Sequence, residues 1–361
     1  MSVDVFFYLL TAFAFMLGAV VGSFLNVVIY RVPAGLSVVR PGSRCPHCET
    51  PIAWYDNIPI LSWLILRARC RRCKVHIPAR YALVELLMGV LSAGLWLKVS
   101  WRHVAMLGEP WRAGFPPPVA SLEQLPWSSM GIAFGLYFIF IAMLVVITFV
   151  DLDHYLIPHE FTLPTIAIGI VATLLLNSEK VMSPGSMTSF FPPVTLSMSL
   201  IGAVVGAVVV LAIFYLYFAA RGVEGIGGGD LTLMALMGAW LGWPALIFIF
   251  FAASVQGLIA AGLGTLLGAG FVRDSREILA EDDPREVARR AREAAGAGLA
   301  DETAAPSPAD DAPQADAPDN EEGGGLAVPF GPFIVLAGLE FFFFGEFIPM
   351  YLSMSYLYYG L

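Results

Sequence analysis

Charged residues are scarce in this sequence: they make up 14% of the 361 positions, against roughly 25% in a typical soluble domain. Hydrophobic residues account for 58%, and the mean hydropathy is +0.74. A chain this apolar is neither a water-soluble globule nor an intrinsically disordered polypeptide. Cysteine is also scarce. The four cysteines are confined to positions 45–73, which argues against a disulfide framework and indicates one local site.

The net charge of −9 belongs to a single segment. Residues 273–322 carry 15 acidic and 6 basic side chains, whereas the rest of the chain is neutral. The later part of the segment, 301–325, lacks aromatic residues and is rich in Ala, Pro and Asp, so it cannot bury enough apolar surface to fold. We therefore expect residues 273–325 to form an acidic, largely disordered insertion, and we expect no nucleic-acid partner.

Eight apolar runs divide the sequence. They are Phe6–Tyr30, Tyr81–Leu97, Met130–Val150, Phe161–Leu176, Val194–Ala220, Leu231–Leu241, Pro244–Val272 and Leu326–Leu352. A helix needs roughly 20 apolar residues to cross the hydrocarbon core, and lipid cannot satisfy unpaired backbone groups. The sequence thus predicts an all-α polytopic membrane protein in which lipid surrounds about eight transmembrane helices, or seven if Leu231–Leu241 is re-entrant.

Basic residues predict the orientation of these helices. If residues 31–80 are cytoplasmic, sixteen of the twenty Lys and Arg residues fall in cytoplasmic segments, as the positive-inside rule predicts. Both ends of the sequence then lie on the opposite side of the membrane. The predicted organisation is a first transmembrane helix (1–30), a cytoplasmic zinc-binding domain (31–80), a transmembrane core (81–272), the acidic cytoplasmic insertion (273–325) and a last transmembrane helix (326–361).

The cysteines form two C-x-x-C pairs, Cys45/Cys48 and Cys70/Cys73, with 21 residues between them. Two such knuckles are typical of a tetrahedral structural zinc site, and a domain of about 50 residues has too little core to fold without such support. Arginines around the pairs are expected to lower the pKa of the thiols. The alternative is four reduced thiols without a metal, and we regard His47 and His76 as bystanders.

Carboxylates inside apolar spans are costly and are usually functional. Of the candidates, Asp151 and Asp230 are predicted to lie level with each other at the cytoplasmic mouth of the bundle. Asp230 follows a glycine-rich turn, which would let an extended substrate strand approach it. Two close aspartates can hydrolyse a peptide by general acid–base catalysis. The alternative is that they are interfacial residues at helix ends. The other candidates are Glu85, Asp153, Glu160, Glu224, Glu340 and Glu346.

These residues resemble the type IV prepilin peptidases, a family of GxGD membrane aspartic proteases also called prepilin leader peptidase/N-methyltransferases. The matching blocks follow the family order and are GSFLNVVIYRVP (Gly22–Pro33), the double C-x-x-C block (Ser43–Gly89), D-x-D-x-x-x-I-P (Asp151–Pro158), GxGD (Gly227–Asp230) and VPFGPFI (Val328–Ile334). One departure is Thr232, where the family often has Lys.

The resemblance implies that Asp151 and Asp230 are the protease pair. It also implies substrates of the type IV prepilin or type II secretion pseudopilin class, cleavage at the cytoplasmic face of the bacterial inner membrane, and methylation of the new N-terminus by S-adenosylmethionine. No glycine-rich nucleotide loop marks the methyl-donor site. The alternatives are a peptidase without methyltransferase activity, a proton-coupled transporter using the two aspartates as a relay, and a non-catalytic zinc-bearing scaffold.

Overall fold

The structure is a computed structural model that describes residues 3–45, 47–105, 127–176, 194–221, 228–267, 273–274, 326–327 and 329–345. Helices dominate the described residues. In chain order the elements are α1 (Val3–Arg31), a 3₁₀ turn (Trp54–Asp56), α2 (Leu61–Ile65), α3 (Ala79–Ala105), α4 (Trp127–His154), α5 (His159–Leu176), α6 (Leu196–Arg221), α7 (Gly228–Leu241), α8 (Trp243–Leu267), β1 (Arg273–Asp274), β2 (Leu326–Ala327) and α9 (Gly331–Phe344).

Six of these helices, α1, α3, α4, α5, α6 and α8, are long and apolar enough to cross a membrane. The predicted polytopic, helical membrane architecture is therefore confirmed. The helices α7 and α9 are each described over 14 residues, which corresponds to about 21 Å and falls short of the hydrocarbon thickness of about 30 Å. Residues 233–241 of α7 are all buried, so protein rather than lipid surrounds this helix.

The chain divides into two compact units. One comprises Met1–Val255 and Phe330–Leu361, and the other comprises Gln256–Pro329. The second unit contains the end of α8 and an antiparallel pair of two-residue strands, in which Arg273 pairs with Ala327 and Asp274 with Leu326. The acidic insertion was predicted over residues 273–325. Its first two residues, Arg273 and Asp274, form β1, and residues 275–325 lie outside the described residues.

Small residues bring pairs of helices into backbone contact. A Cβ added to Gly202 of α6 would strike the Gly238 carbonyl of α7, and one added to Gly238 would strike the Gly202 carbonyl. Nearby, the Ser199 hydroxyl donates a 2.7 Å hydrogen bond to the Ala239 carbonyl. Because lipid is as apolar as the helix faces, close packing and interhelical hydrogen bonds, rather than hydrophobicity, select these contacts.

An aromatic cluster joins four helices at the centre of the first unit. The Trp240 ring of α7 stacks on Phe140 of α4, with ring centroids 4.7 Å apart. Tyr137 of α4 packs against Phe342 of α9 at 4.9 Å. The Trp240 indole N–H donates a 2.8 Å hydrogen bond to the Thr165 carbonyl of α5. These contacts fix α4, α7 and α9 relative to one another. Asp151 lies on α4 and Asp230 lies on α7, so the same contacts position both helices that carry the aspartates.

Candidate functional site

The structure brings the four cysteines into one cluster. Their sulfur atoms all lie within 4.8 Å of one another, and the Sγ atoms of Cys45 and Cys73 are 3.7 Å apart. In a tetrahedral Zn–S₄ site with bonds of about 2.3 Å, sulfur atoms are about 3.8 Å apart. The donor set and its spacing therefore fit a Zn²⁺ ion. His47 and His76 are exposed and are not part of the cluster.

The two C-x-x-C turns have the same backbone geometry. In each, the carbonyl of the first cysteine accepts a hydrogen bond from the N–H four positions later. The Glu49 amide donates to the Cys45 carbonyl at 2.8 Å, and the Lys74 amide donates to the Cys70 carbonyl at 3.1 Å. Both of these later residues have positive φ, 51° and 59°. The amide of the first cysteine in turn donates to the carbonyl five positions later, at 3.0 and 2.9 Å. These local hydrogen bonds aim both thiols of each pair at one point.

Local hydrogen bonds also favour the thiolate forms. The Thr50 hydroxyl and backbone lower the pKa of Cys48 to about 6, and backbone amides of Cys73 and Arg72 lower the pKa of Cys70. Although the Val75 backbone opposes the shift, burial and the neighbouring sulfurs raise the pKa of Cys73 to about 11. The expectation that arginine side chains lower these pKa values was wrong. Four sulfurs this close cannot all be ionised without a cation between them.

Asp151 lies near the end of α4 and is 4% exposed. The Gly331 backbone amide approaches its carboxyl group, but Oδ2 makes no hydrogen bond of good geometry within the described part of the chain. Leaving a buried polar atom unpaired costs about 1–3 kcal/mol. The unpaired oxygen therefore needs an explanation. One explanation is that a water molecule or a reacting group of a substrate binds to it.

Asp230 is the third residue of α7, is partly buried, and lies close enough to Asp151 for its charge to act on that carboxyl group. The last turn of α4 thus meets the first turn of α7. Two adjacent carboxylates share one proton, because both ionise only with difficulty. An ionised and a protonated carboxyl group side by side can activate a water molecule and polarise a carbonyl group together.

Two residues that the sequence offered only as members of quoted blocks, Ile157 of D-x-D-x-x-x-I-P and Gly331 of VPFGPFI, complete this site. Ile157 is buried and packs on two glycines. A Cβ added to Gly229 of α7 would lie 2.7 Å from the Ile157 Cβ, and a Cβ added to Gly331 would lie 3.1 Å from the Ile157 Cδ1. Gly331 itself begins α9 and lies against Asp151. Gly229 is thus used for packing on Ile157, whereas no atom of the described part of the chain lies within 4 Å of a Cβ added to Gly228. The only sequence signal for Gly331 was its place in the block VPFGPFI.

The contact at Gly331 leads to a prediction. A Cβ at this position would overlap Oδ2 of Asp151, so we expect Gly331→Ala to displace the carboxyl group and slow peptide cleavage about tenfold or more. Gly135→Ala, on α4 and sixteen residues before Asp151, is the matched control, because no atom of the described residues lies within 4 Å of the Cβ that it adds. Cleavage rates of both variants, measured in the same lipid, check this. Equal rates for the two variants would show that close approach at Gly331 is unimportant.

Asp153 faces away from this pair and is bound by Arg80. The Arg80 guanidinium donates hydrogen bonds to Asp153 Oδ2 at 2.5 Å and to the Phe149 carbonyl at 3.3 Å, and it lies over the Phe149 ring. Residues two apart do not share a helix face, so Asp151 points elsewhere. This contact also joins the start of α3 to the end of α4.

From this ion pair we predict that Asp153→Asn keeps most of the cleavage activity. Both side chains are about one third exposed, and such pairs contribute about 0–1 kcal/mol. Thermal unfolding in detergent should therefore shift only slightly, and the cleavage rate should stay within a few-fold of wild type. A loss of cleavage as large as that of an Asp151 variant would contradict this assignment.

The remaining acidic candidates are dispersed. Glu85 is buried in α3, Glu160 is exposed, and Glu340 is partly buried in α9. Glu224 and Glu346 lie outside the described residues. At the position where the family often has Lys, the Thr232 hydroxyl donates to the Gly229 carbonyl at 2.9 Å and accepts from Thr162 at 3.2 Å, so it joins α7 to α5.

Comparison with known proteins agrees with this geometry. The family model described as Bacterial Peptidase A24 N-terminal domain matches residues 16–99, and the model of the Type IV leader peptidase family matches residues 138–262. The second match includes both aspartates. The chain belongs to the type IV leader peptidase family. The first match includes all four cysteines, so the two domain models of this peptidase family together cover the two sites described above.

Curated members of the family resemble the chain along most of its length. The prepilin leader peptidase/N-methyltransferase of Myxococcus xanthus is 34% identical over 94% of this chain and 92% of that protein. The proteins of the same name from Stutzerimonas stutzeri and Neisseria gonorrhoeae are 33% and 35% identical, over 70% and 69% of this chain and 80% of each relative. No solved structure matches. The apolar helices and these relatives identify a multi-pass protein of the bacterial inner membrane.

Proposed function

We propose that this family member removes the leader peptide of type IV prepilins or type II secretion pseudopilins at the cytoplasmic face of the inner membrane and N-methylates the new N-terminal residue. Both activities are named in relatives that match 94% and 70% of the chain. The observation that carries the peptidase assignment is the buried Asp151 carboxyl group, with an unpaired oxygen, beside Asp230.

In the proposed reaction, the ionised member of the Asp151–Asp230 pair takes a proton from water while the water oxygen attacks the scissile carbonyl carbon. The protonated member donates its proton to the leaving nitrogen as the carbon–nitrogen bond breaks, which leaves a free amine and a carboxylic acid that keeps the second proton of the water. The two groups exchange roles as the shared proton moves. Gly331 lies against the Asp151 carboxyl group, and Ile157 packs on Gly331 and on Gly229, the residue before Asp230.

Two further groups are part of the proposal. Cys45, Cys48, Cys70 and Cys73 hold a structural zinc ion, because four protein ligands leave no open position for chemistry. S-adenosylmethionine supplies the methyl group. Among the described residues we identify no arrangement that would hold this cofactor, so the methyltransferase activity is supported by the family relatives alone.

For the topology, we propose that residues 31–80 and the aspartate pair share the cytoplasmic side, with both ends of the sequence in the periplasm. The Arg80–Asp153 ion pair supports this, because it joins the last residue of the segment 31–80 to the end of the helix that carries Asp151. The excess of basic residues in the same segments indicates that this side is the cytoplasmic one. We infer no nucleic-acid partner.

The direct test is to incubate the purified protein, in lipid, with a prepilin and labelled S-adenosylmethionine, and to measure the mass of the product. We expect loss of the leader and gain of one methyl group on the new N-terminus. A cleaved but unmethylated product would indicate a peptidase without methyltransferase activity. An uncleaved prepilin would contradict the proposed function altogether and favour a scaffold or transporter.

The acidic insertion gives a separate prediction. Deleting residues 301–322 should change expression and cleavage little, because this stretch is acidic, proline-rich and unable to form a core. Shortening a long loop also changes its closure entropy only slightly. Cleavage by the deleted and full-length proteins, compared at equal membrane content, tests this. Loss of cleavage by a stably inserted deletion protein would reveal a role for the insertion.

A further inference from the structure

The short helix α2 presents an apolar face to the outside of the protein. Leu61, Leu64 and Ile65 are 55%, 56% and 73% exposed, and their spacing of three and four residues places them on one face. On the opposite face Ser62 is buried. Its hydroxyl donates to the Tyr55 carbonyl at 3.1 Å and accepts from the Ile58 amide at 3.0 Å. The helix is therefore fixed with its polar side inward and its aliphatic side outward, the reverse of the pattern for a surface in water.

Contacts with α3 place α2 at the level of the bilayer. The Ile60 amide, immediately before α2, donates a 2.7 Å hydrogen bond to Oε2 of Glu85. Glu85 lies six residues into the apolar span Ala79–Ser100, or about 9 Å along the helix axis. Ile60 has φ of 63°, a conformation that β-branched residues rarely adopt and that this partly buried hydrogen bond helps to hold. The start of α2 is thus tied to a level inside the membrane-spanning part of α3.

The surroundings of the α2 face have the composition of a membrane interface. On α3, Leu83 and Leu86 at the level of Glu85 are 54% and 43% exposed, as expected for residues that face lipid. Trp54, in the turn that precedes α2, is 81% exposed, and tryptophan is enriched at bilayer interfaces. Arg67 and Arg69 follow α2 directly and are exposed. Cationic side chains at this depth match anionic lipid headgroups.

We propose that α2 is an interfacial anchor: the face formed by Leu61, Leu64 and Ile65 inserts at the boundary between headgroups and acyl chains, and Arg67 and Arg69 bind anionic lipid headgroups. The occupant of this face is the bilayer itself. Five residues bury too little apolar surface to bind a membrane alone, so α3, through the hydrogen bond of Glu85 to Ile60, holds α2 in position. The cysteine domain therefore lies flat on the membrane instead of standing free in water.

Photo-crosslinking in the full-length protein tests this proposal. The crosslinking amino acid p-benzoylphenylalanine replaces Ile65 in one variant and His47, an exposed polar residue of the first cysteine pair, in a control. Each variant is embedded in nanodiscs of phosphatidylglycerol and phosphatidylcholine, irradiated, and analysed by mass spectrometry for lipid adducts. We expect about fivefold or more lipid adduct at position 65 than at position 47. Equal yields at the two positions, or crosslinks only to protein, would overturn the proposal.

Two further comparisons separate the parts of the proposal. With the crosslinker at position 65, Glu85→Ala should lower the lipid adduct several-fold, whereas Glu85→Gln, whose amide oxygen still accepts from Ile60, should retain it. Unchanged adduct in Glu85→Ala would overturn the role of the hydrogen bond. Adduct to phosphatidylglycerol should exceed adduct to phosphatidylcholine, and the double variant R67Q/R69Q should remove this preference. Equal adduct to both lipids in the unsubstituted background would overturn the headgroup contact.

Discussion

Asp151→Asn and Asp230→Asn should each lower the rate of prepilin cleavage by about 10²–10⁴-fold. Asparagine keeps the shape of aspartate but can neither take a proton from water nor share one with its neighbour. At Asp151 the amide replaces a carboxyl group that is buried and incompletely hydrogen-bonded, so the fold should tolerate the change. Cleavage is measured by the mass of the prepilin product after incubation in lipid, at equal amounts of inserted enzyme.

The best control is the neighbouring aspartate. Asp153→Asn makes the same chemical change two residues away, but on a carboxylate already paired with Arg80. The double variant Asp151→Asn/Asp230→Asn should be about as slow as either single variant, because two groups that act as one unit lose their effect together. Near wild-type cleavage by either single variant would rule out the aspartic mechanism.

Purified protein should contain about one zinc ion per chain, and Cys45→Ser or Cys70→Ser should release it. Each substitution removes one of four sulfurs that lie within 4.8 Å of one another. Because metal binding and folding of so small a domain are coupled, the loss should also loosen residues 31–80, measured by faster hydrogen exchange or proteolysis. Methylation should fall more than cleavage, since the aspartates lie on the membrane helices α4 and α7 and not in this domain.

Histidine variants provide the control for the metal site. His47→Ala and His76→Ala alter exposed residues within or next to the same turns, so they should leave the zinc content unchanged. Elemental analysis of the wild type and all four variants distinguishes the outcomes. Active protein without bound metal would contradict the zinc assignment. Equal loss of methylation and cleavage in the serine variants would contradict the proposal that the cysteine domain serves methylation while the membrane helices carry out cleavage.

Local sequence patterns were sufficient for much of the architecture. The apolar runs predicted the membrane helices, because the length of an apolar run reflects the thickness of the bilayer. The spacing of Cys45, Cys48, Cys70 and Cys73 predicted their convergence, since each knuckle is built by hydrogen bonds within six residues. Neither inference needed the arrangement of the helices. The short run Leu231–Leu241 was ambiguous, because the length of an apolar run does not show whether lipid or protein surrounds the helix.

The sequence by itself determined that this is a polytopic membrane protein with a cysteine cluster and acidic residues at helix ends. Only the tertiary structure decided that Gly331 lies against Asp151, that Arg80 binds Asp153, and that the Ile60 amide is held by Glu85. The physical reason is that membrane helices are apolar on every side, so hydrophobic periodicity does not reveal which faces meet. Close approach of small residues and a few polar pairs, distant in sequence, select those faces.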